Sequence, residues 1–258
     1  MKPSILLSFD VEEFDIPLEY NFPIDSAEQM KIGKQGLDAM LPVVDAFTIA
    51  ATMFTTANFA IHFPDAVKSM AVNHEIASHT FYHTTFKNED LLSSKLALEE
   101  ICGKPVTGLR MPRMRFVEMD AVKQAGYIYD SSINPTWLPG RYNNLHLSRT
   151  WYTEDGMLRL PASVSPNFRL PLFWLAFKNY PYWWFKKLVI QTLKKDGYVC
   201  LYFHPWEFTA IHNYNLPNYV KKYCGTALQD RLYQLIKDLQ PYGEFSTIQN
   251  YIQQKSLV

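Results

Sequence analysis

The chain has 258 residues, 48% hydrophobic and only 19% charged, so it can bury a large core and is not a disordered polypeptide. Its 25 basic and 25 acidic residues cancel, which removes the positive excess that a dedicated nucleic-acid binder uses on phosphates. Aromatic residues make up 15% of the chain, a supply of rings that can fill a core or line a sugar-binding groove.

Residues 5–9 form a short apolar run that ends in Asp10, Glu12, Glu13 and Asp15. This reads as a buried strand that delivers carboxylates at its C-terminal end, with Glu13 and Asp15 taken as a solvated acidic loop. Ser8 and Asp10 break the run too early for a signal peptide. No uncharged stretch approaches the ~18–20 residues of a bilayer span, so a cytoplasmic protein without a membrane span is expected. Residues 36–49 carry Leu37, Met40, Leu41, Val44 and Phe47 at helical spacing despite Pro42. Residues 51–55 predict the next strand, 59–70 a helix, and 75–78 a strand leading into His79. A helix over 90–101 presents Leu91, Leu98 and Ile101, with Asn88 as its N-cap. Residues 106–109 form a strand running into Arg110, and Gly126 closes a helix over 118–125. Strands over 127–130, 157–161 and 198–203 and helices over 182–195 and 229–239 complete the alternation. Repeated strand–helix units over one core predict a single α/β domain, residues 1–258, built on a parallel barrel or a doubly wound sheet. The three cysteines, Cys102, Cys200 and Cys224, are too few and scattered for a disulfide framework or a thiolate metal site.

Parallel α/β folds gather the C-terminal ends of their strands on one face. Here those ends carry Asp10 and Glu12, His79 and His83, Arg110, Asp130 and His204. His79 and His83 stand at i and i+4, a spacing that puts both imidazoles on one side of a helical turn. With one carboxylate they make the donor set of a catalytic Zn²⁺ or a related divalent ion; the plain alternative is a wet helix face. Asp10 and Glu12, at i and i+2, face the same side of an extended strand. His204 ends the most apolar strand, where partial desolvation suits it to acid–base work near neutrality. A hydrogen-bonded core histidine is the plain alternative there.

Together these residues resemble the NodB-homology polysaccharide deacetylases, carbohydrate esterase family four. Ser8-Phe9-Asp10-Val11-Glu12 is similar to the family's first motif, T-F-D-D, and Ser78-His79-Thr80-Phe81-Tyr82-His83 to the second, H-[ST]-x-x-H. Arg110-Met111-Pro112 resembles R-x-P, and Leu201-Tyr202-Phe203-His204 resembles L-x-x-H. The resemblance implies a distorted (β/α) barrel of about seven parallel strands and a metal-dependent hydrolase that removes an N-acetyl group from an amino sugar. It implies Asp10 as the general base, Arg110 as the residue that positions it, and His204 as the general acid. The metal, zinc on this donor set, falls to His79 and His83. Glu12 stands in for the family's second aspartate, a position that is Val11 here. Leu201 is implied in the pocket for the acetyl methyl, and Pro112, Arg113 and Trp206 in the substrate-facing wall. Either Asp130 or Glu207 would orient His204.

Residues 168–185 hold nine aromatics, and Arg169, Pro171, Lys178, Asn179 and Pro181 interrupt them. This segment can pack against the barrel, stack on a sugar, form a dimer interface or meet a membrane surface. Two readings compete with the deacetylase: a metal-free amide hydrolase of the allantoinase-like branch, and a barrel that binds a saccharide without turning it over.

Overall fold

The computed structural model describes residues 2–257. Eleven strands occur among them: β1 (Ser4–Val11), β2 (Thr52–Thr55), β3 (Glu75–Ser78), β4 (Gly108–Leu109), β5 (Tyr129–Asp130), β6 (Trp137–Leu138), β7 (Tyr142–Asn143), β8 (Tyr152–Glu154), β9 (Met157–Arg159), β10 (Tyr198–Phe203) and β11 (Glu244–Ser246). The helices are α1 (Ser26–Asp45), α2 (Ala57–His62), α3 (Pro64–Asn73), α4 (Glu89–Cys102), α5 (Met119–Gln124), α6 (Trp174–Asn179), α7 (Tyr182–Asp196), α8 (Asn218–Lys221), α9 (Thr226–Leu239) and α10 (Ile248–Lys255).

Seven strands run parallel in the order β10-β1-β2-β3-β4-β5-β9. They are the seven that the alternation of strand and helix predicts. β8 joins β9 antiparallel, β11 lies beside the start of β1, and β6 and β7 form a separate hairpin. The sheet curls until the segment that follows β9 reaches β10 at Ser163. The Ser163 backbone N–H donates to the Cys200 carbonyl, and the Cys200 N–H donates to Ser163 Oγ, both at 2.8 Å. This is the distorted (β/α) barrel expected from the sequence.

Strand alternation decides what faces the barrel interior. Along β1, Ile5, Leu7, Phe9 and Val11 pack in the cluster shared with the helices, whereas Leu6 turns inward beside Phe54, Tyr129 and Cys200. β10 follows the same rule, with Val199, Leu201 and Phe203 outward and Cys200 inward. α10 adds Ile248, Tyr251 and Ile252 to the inner cluster. Its first N–H groups are taken by Thr52 Oγ1 and the Glu75 carboxylate at 2.9 and 3.0 Å.

Three predicted elements differ in detail. α1 starts at Ser26 instead of residue 36, capped by Asp25, whose carboxylate accepts the Glu28 N–H at 2.8 Å. Its first half is largely polar, and Gly33 and Gly36 sit near its middle, so the apolar period is weak there. Those glycines are required by close approach: a Cβ on Gly33 would lie 2.5 Å from the Glu12 carbonyl, and one on Gly36 2.2 Å from the Pro205 carbonyl. The helix predicted over 59–70 is two helices, because Pro64 opens α3 after the non-helical Phe63. Asn88 stands at the N-cap position of α4 as expected, but its side chain makes no capping bond; its backbone is already helical, and the Asp90 carboxylate takes the Lys87 N–H.

Gly36→Ala should therefore force α1 away from the segment after β10. Overpacking of this kind costs about 1–3 kcal/mol, and denaturant unfolding should show a lower midpoint. An unchanged midpoint would mean that α1 has room to move.

Candidate active site

A cavity of about 300 Å³ opens beside the C-terminal ends of the strands, and Asp10, Glu12, His79, His83 and His204 all line it. That volume is at the small end of the ~300–1,000 Å³ usual for small-molecule sites. Asp10 arrives on the inward face of β1, and Glu12 follows where the strand ends at Val11. Glu12 Oε2 lies 3.0 Å from His79 Nε2 and 3.1 Å from His83 Nε2. Their ligand atoms all fall within 4.8 Å of one another, and all three residues are buried.

The tautomers follow from what holds the other ring nitrogens. His79 Nδ1 donates to the Arg110 carbonyl at 2.7 Å, and His83 Nδ1 pairs with Asp15 Oδ1 at 2.7 Å. Each ring thus turns its Nε2 towards Glu12. Among the described residues, His79 Nε2 and Glu12 Oε2 find no partner in hydrogen-bond geometry although both are buried. Orphaned buried polar atoms are costly unless something satisfies them. Two imidazole nitrogens and one carboxylate oxygen, with an open side towards a cavity, fit a divalent cation. Burial would lower the His83 pKa, but the Glu12 and Asp15 carboxylates outweigh it and raise the imidazole to about 9. Burial would raise Glu12, yet the surrounding histidines hold its carboxyl far below the usual range. Both shifts come from the opposite charges that these groups place beside one another.

Two expectations change here. Residues 79–83 are not helical; a left-handed Thr80 (φ 62°) bends the chain, and the histidine rings stack with centroids 5.5 Å apart. The acids after Glu12 are not a solvated loop. Asp15 is buried and accepts Arg113 Nη2 at 2.9 Å as well as His83, while Glu13 accepts Thr56 Oγ1 at 2.7 Å and Asn58 Nδ2 at 2.5 Å.

Asp10 is held from below. Arg110, fully buried, donates through Nη1 to Asp10 Oδ1 at 2.7 Å and to Ser8 Oγ at 3.0 Å. Its other donors go to Ser131, and its guanidinium lies 4.0 Å from the centre of the Phe54 ring. Asp10 Oδ2 faces His204 Nε2 at 3.9 Å.

His204 is oriented by Glu207. Glu207 Oε1 accepts the His204 backbone N–H at 2.9 Å and faces His204 Nδ1 at 3.1 Å. Glu207 Oε2 in turn pairs with Lys178 Nζ at 2.9 Å, and neither side chain has any exposure. Asp130 plays no part in this; it binds Ser132 and Arg159. Burial would lower the His204 pKa, but Glu12, Glu207 and Asp10 together raise it above its ordinary value. Sequence reasoning gave Lys178 no role beyond interrupting the aromatic segment. The available signal was its place one helical turn after Trp174, over whose ring it lies.

Leu201 does not reach the cavity. It points to the helix side of β10 among Leu7, Phe9 and Phe203, one residue out of phase with Tyr202, which lines the cavity. Pro112 is buried outside the cavity wall. Arg113 does line it, but its guanidinium is committed to Asp15, Glu19 and the His83 carbonyl. Trp206 lines it too, donating its indole N–H to Glu12 Oε1 at 3.0 Å and stacking on His204. The aromatic segment divides its work. Phe173, Trp174 and Leu175 form cavity wall, Phe177 and Phe185 pack in the core, and Phe168 and Trp183 are exposed.

Residues 2–129, just under half of the chain, match the family model for polysaccharide deacetylase and carry that family's domain. The matched span contains Asp10, Glu12, His79, His83 and Arg110. No curated protein matches the chain in a sequence search. Among solved structures, it superposes with a TM-score of 0.65 on a Mycobacterium smegmatis protein described as a candidate polysaccharide deacetylase, at 17% identity over 98% of this chain and 90% of that one. The allantoinase PuuE gives a TM-score of 0.63 at 15% identity over 96% and 88% of the two chains. A carbohydrate esterase family four pseudoenzyme of Bacillus anthracis gives 0.54 at 12% identity over 96% and 65%. At these identities the likeness establishes the fold.

The contact between Asp15 and His83 generates a test. Supporting residues of this kind set metal affinity by about 10–100-fold, so Asp15→Ala should weaken zinc binding by that factor in competition with a chromophoric chelator. An unchanged affinity would mean that His83 needs no help to aim its Nε2.

Proposed function

We propose that this protein is a divalent-metal-dependent hydrolase, with zinc as the metal, that removes the N-acetyl group from an amino sugar. The observation that carries the reading is one cavity in which Glu12, His79 and His83 converge their ligand atoms beside a carboxylate–imidazole pair, Asp10 and His204, 3.9 Å apart. A divalent ion on the three ligands would lower the pKa of a water towards ~7 and polarise the amide carbonyl.

The protein's own groups do the rest. Arg110 fixes Asp10 Oδ1, which leaves Oδ2 to accept a proton from the attacking water. Glu207 holds His204 Nδ1, so the protonated ring presents Nε2–H to the leaving nitrogen. The C–N bond breaks, the nitrogen leaves as an amine with the proton from His204, and acetate carries the oxygen from water. Trp174, half-buried on the cavity wall, supplies a flat apolar face on which a sugar ring can stack. The orphaned Nε2 and Oε2 atoms weigh against a metal-free amide hydrolase, and the paired base and acid weigh against a barrel that only binds.

The pH profile tests the acid. His204 must be protonated to work, so kcat/KM should fall as pH rises through its pKa, above the ordinary 6.5. Glu207→Gln removes a charge that raises this pKa and should move the alkaline limb to lower pH at unchanged metal content. Asp10→Asn should cost about 10²–10⁴-fold in turnover. An alkaline limb that stays in place, or full turnover without the Asp10 carboxylate, contradicts the assignment.

A further inference from the structure

A polymer that is cut or trimmed at an internal unit must lie in a groove with two open ends. Here side-chain contacts tie the cavity walls into a continuous ring, which leaves no gap between them for a chain to run through. The segment Ile16–Tyr20 is joined to the β6–β7 hairpin where Arg141 Nη2 meets Glu19 Oε2 at 3.1 Å. On its other side Tyr20 shares a hydroxyl–hydroxyl hydrogen bond of 2.9 Å with Tyr219 of α8. α8 is tied to α6, since Asn179 Nδ2 donates to the Tyr219 carbonyl and Lys178 Nζ to the Val220 carbonyl, at 2.9 and 2.8 Å.

From α6 the ring continues through Phe173, just before it, which stacks on Tyr202 with centroids 5.8 Å apart and planes 14° from parallel. It closes at Asn134, whose Nδ2 donates to both Tyr202 OH and Tyr142 OH at 3.1 and 3.0 Å. Tyr142 belongs to the hairpin where the circuit began. Every linking residue except Asn179 and Lys178 lines the cavity itself. Arg113 fills the remaining angle by bonding Glu19, Asp15 and the His83 carbonyl.

We infer that the site takes a single N-acetylated sugar unit inserted end-on, either a free monosaccharide or the terminal unit of a chain, and does not deacetylate internal units of a polymer. This rests on the deacetylase reading and adds to it the size and mode of entry of the substrate. The cavity of about 300 Å³ is consistent with one sugar-sized unit.

The test counts acetate. Zinc-loaded protein is given free N-acetylated hexosamines in one arm and linear hexamers of N-acetylglucosamine in the other. Acetate from a free sugar, or at most one acetate per hexamer, is the expected result, and the two arms separate a free substrate from a chain end. Several acetates per hexamer would overturn the inference while leaving the deacetylase reading intact. No acetate from any saccharide would remove that reading and the inference with it. The double variant Arg141→Ala/Tyr219→Phe cuts the ring at two places and should raise the hexamer yield above one acetate per chain. A yield that stays unchanged would show that the ring is not what restricts entry.

Discussion

Glu12 is a carboxylate with 4% exposure, and a buried negative charge persists only where positive charge or donors meet it. One oxygen accepts the Trp206 indole N–H; the other faces two imidazole Nε2 atoms whose rings are pinned through Nδ1. Much of the surrounding structure serves that arrangement. Gly33 lets α1 pass against the Glu12 carbonyl, Thr80 bends the chain so that both histidines converge, and Arg113 anchors the Asp15 that anchors His83.

The same economy runs through the other charged groups. Asp10 has Arg110, Glu207 has Lys178, and Asp15 has Arg113, each partner drawn from a distant part of the chain. Removing one member of such a pair leaves a buried charge uncompensated, which is why these sites tolerate little change. Two carboxylates two residues apart thereby acquire different tasks. Glu12 is surrounded by imidazoles and suited to hold a cation, whereas Asp10 is clamped on one oxygen and leaves the other free in the cavity.

The residues legible in the sequence are those at strand ends. Asp10, His79, Arg110 and His204 directly follow or close apolar runs, and parallel topology brings such ends together whatever the loops do. Glu12 was legible as the candidate substitute ligand because the valine at position 11 offers no ligand atom. Interactions that depend on loop geometry were not legible. His79 and His83 meet through a bend where the spacing suggested a helix, Asp15 turns inward where the composition suggested solvent, and Lys178 reaches Glu207 across the fold. Leu201 shows the sharpest limit. The motif places it correctly in sequence, but the period of two along β10 turns its side chain to the helices and gives the cavity to Tyr202.

X-ray absorption at the zinc edge of the zinc-loaded protein tests most directly whether Glu12 completes a cation site with the two histidines. The account predicts two imidazole nitrogens at about 2.0–2.1 Å and a carboxylate oxygen at about 2.0–2.2 Å, with the carboxylate contribution lost in Glu12→Ala. A zinc shell that is the same in Glu12→Ala, or that contains no imidazole, would contradict it.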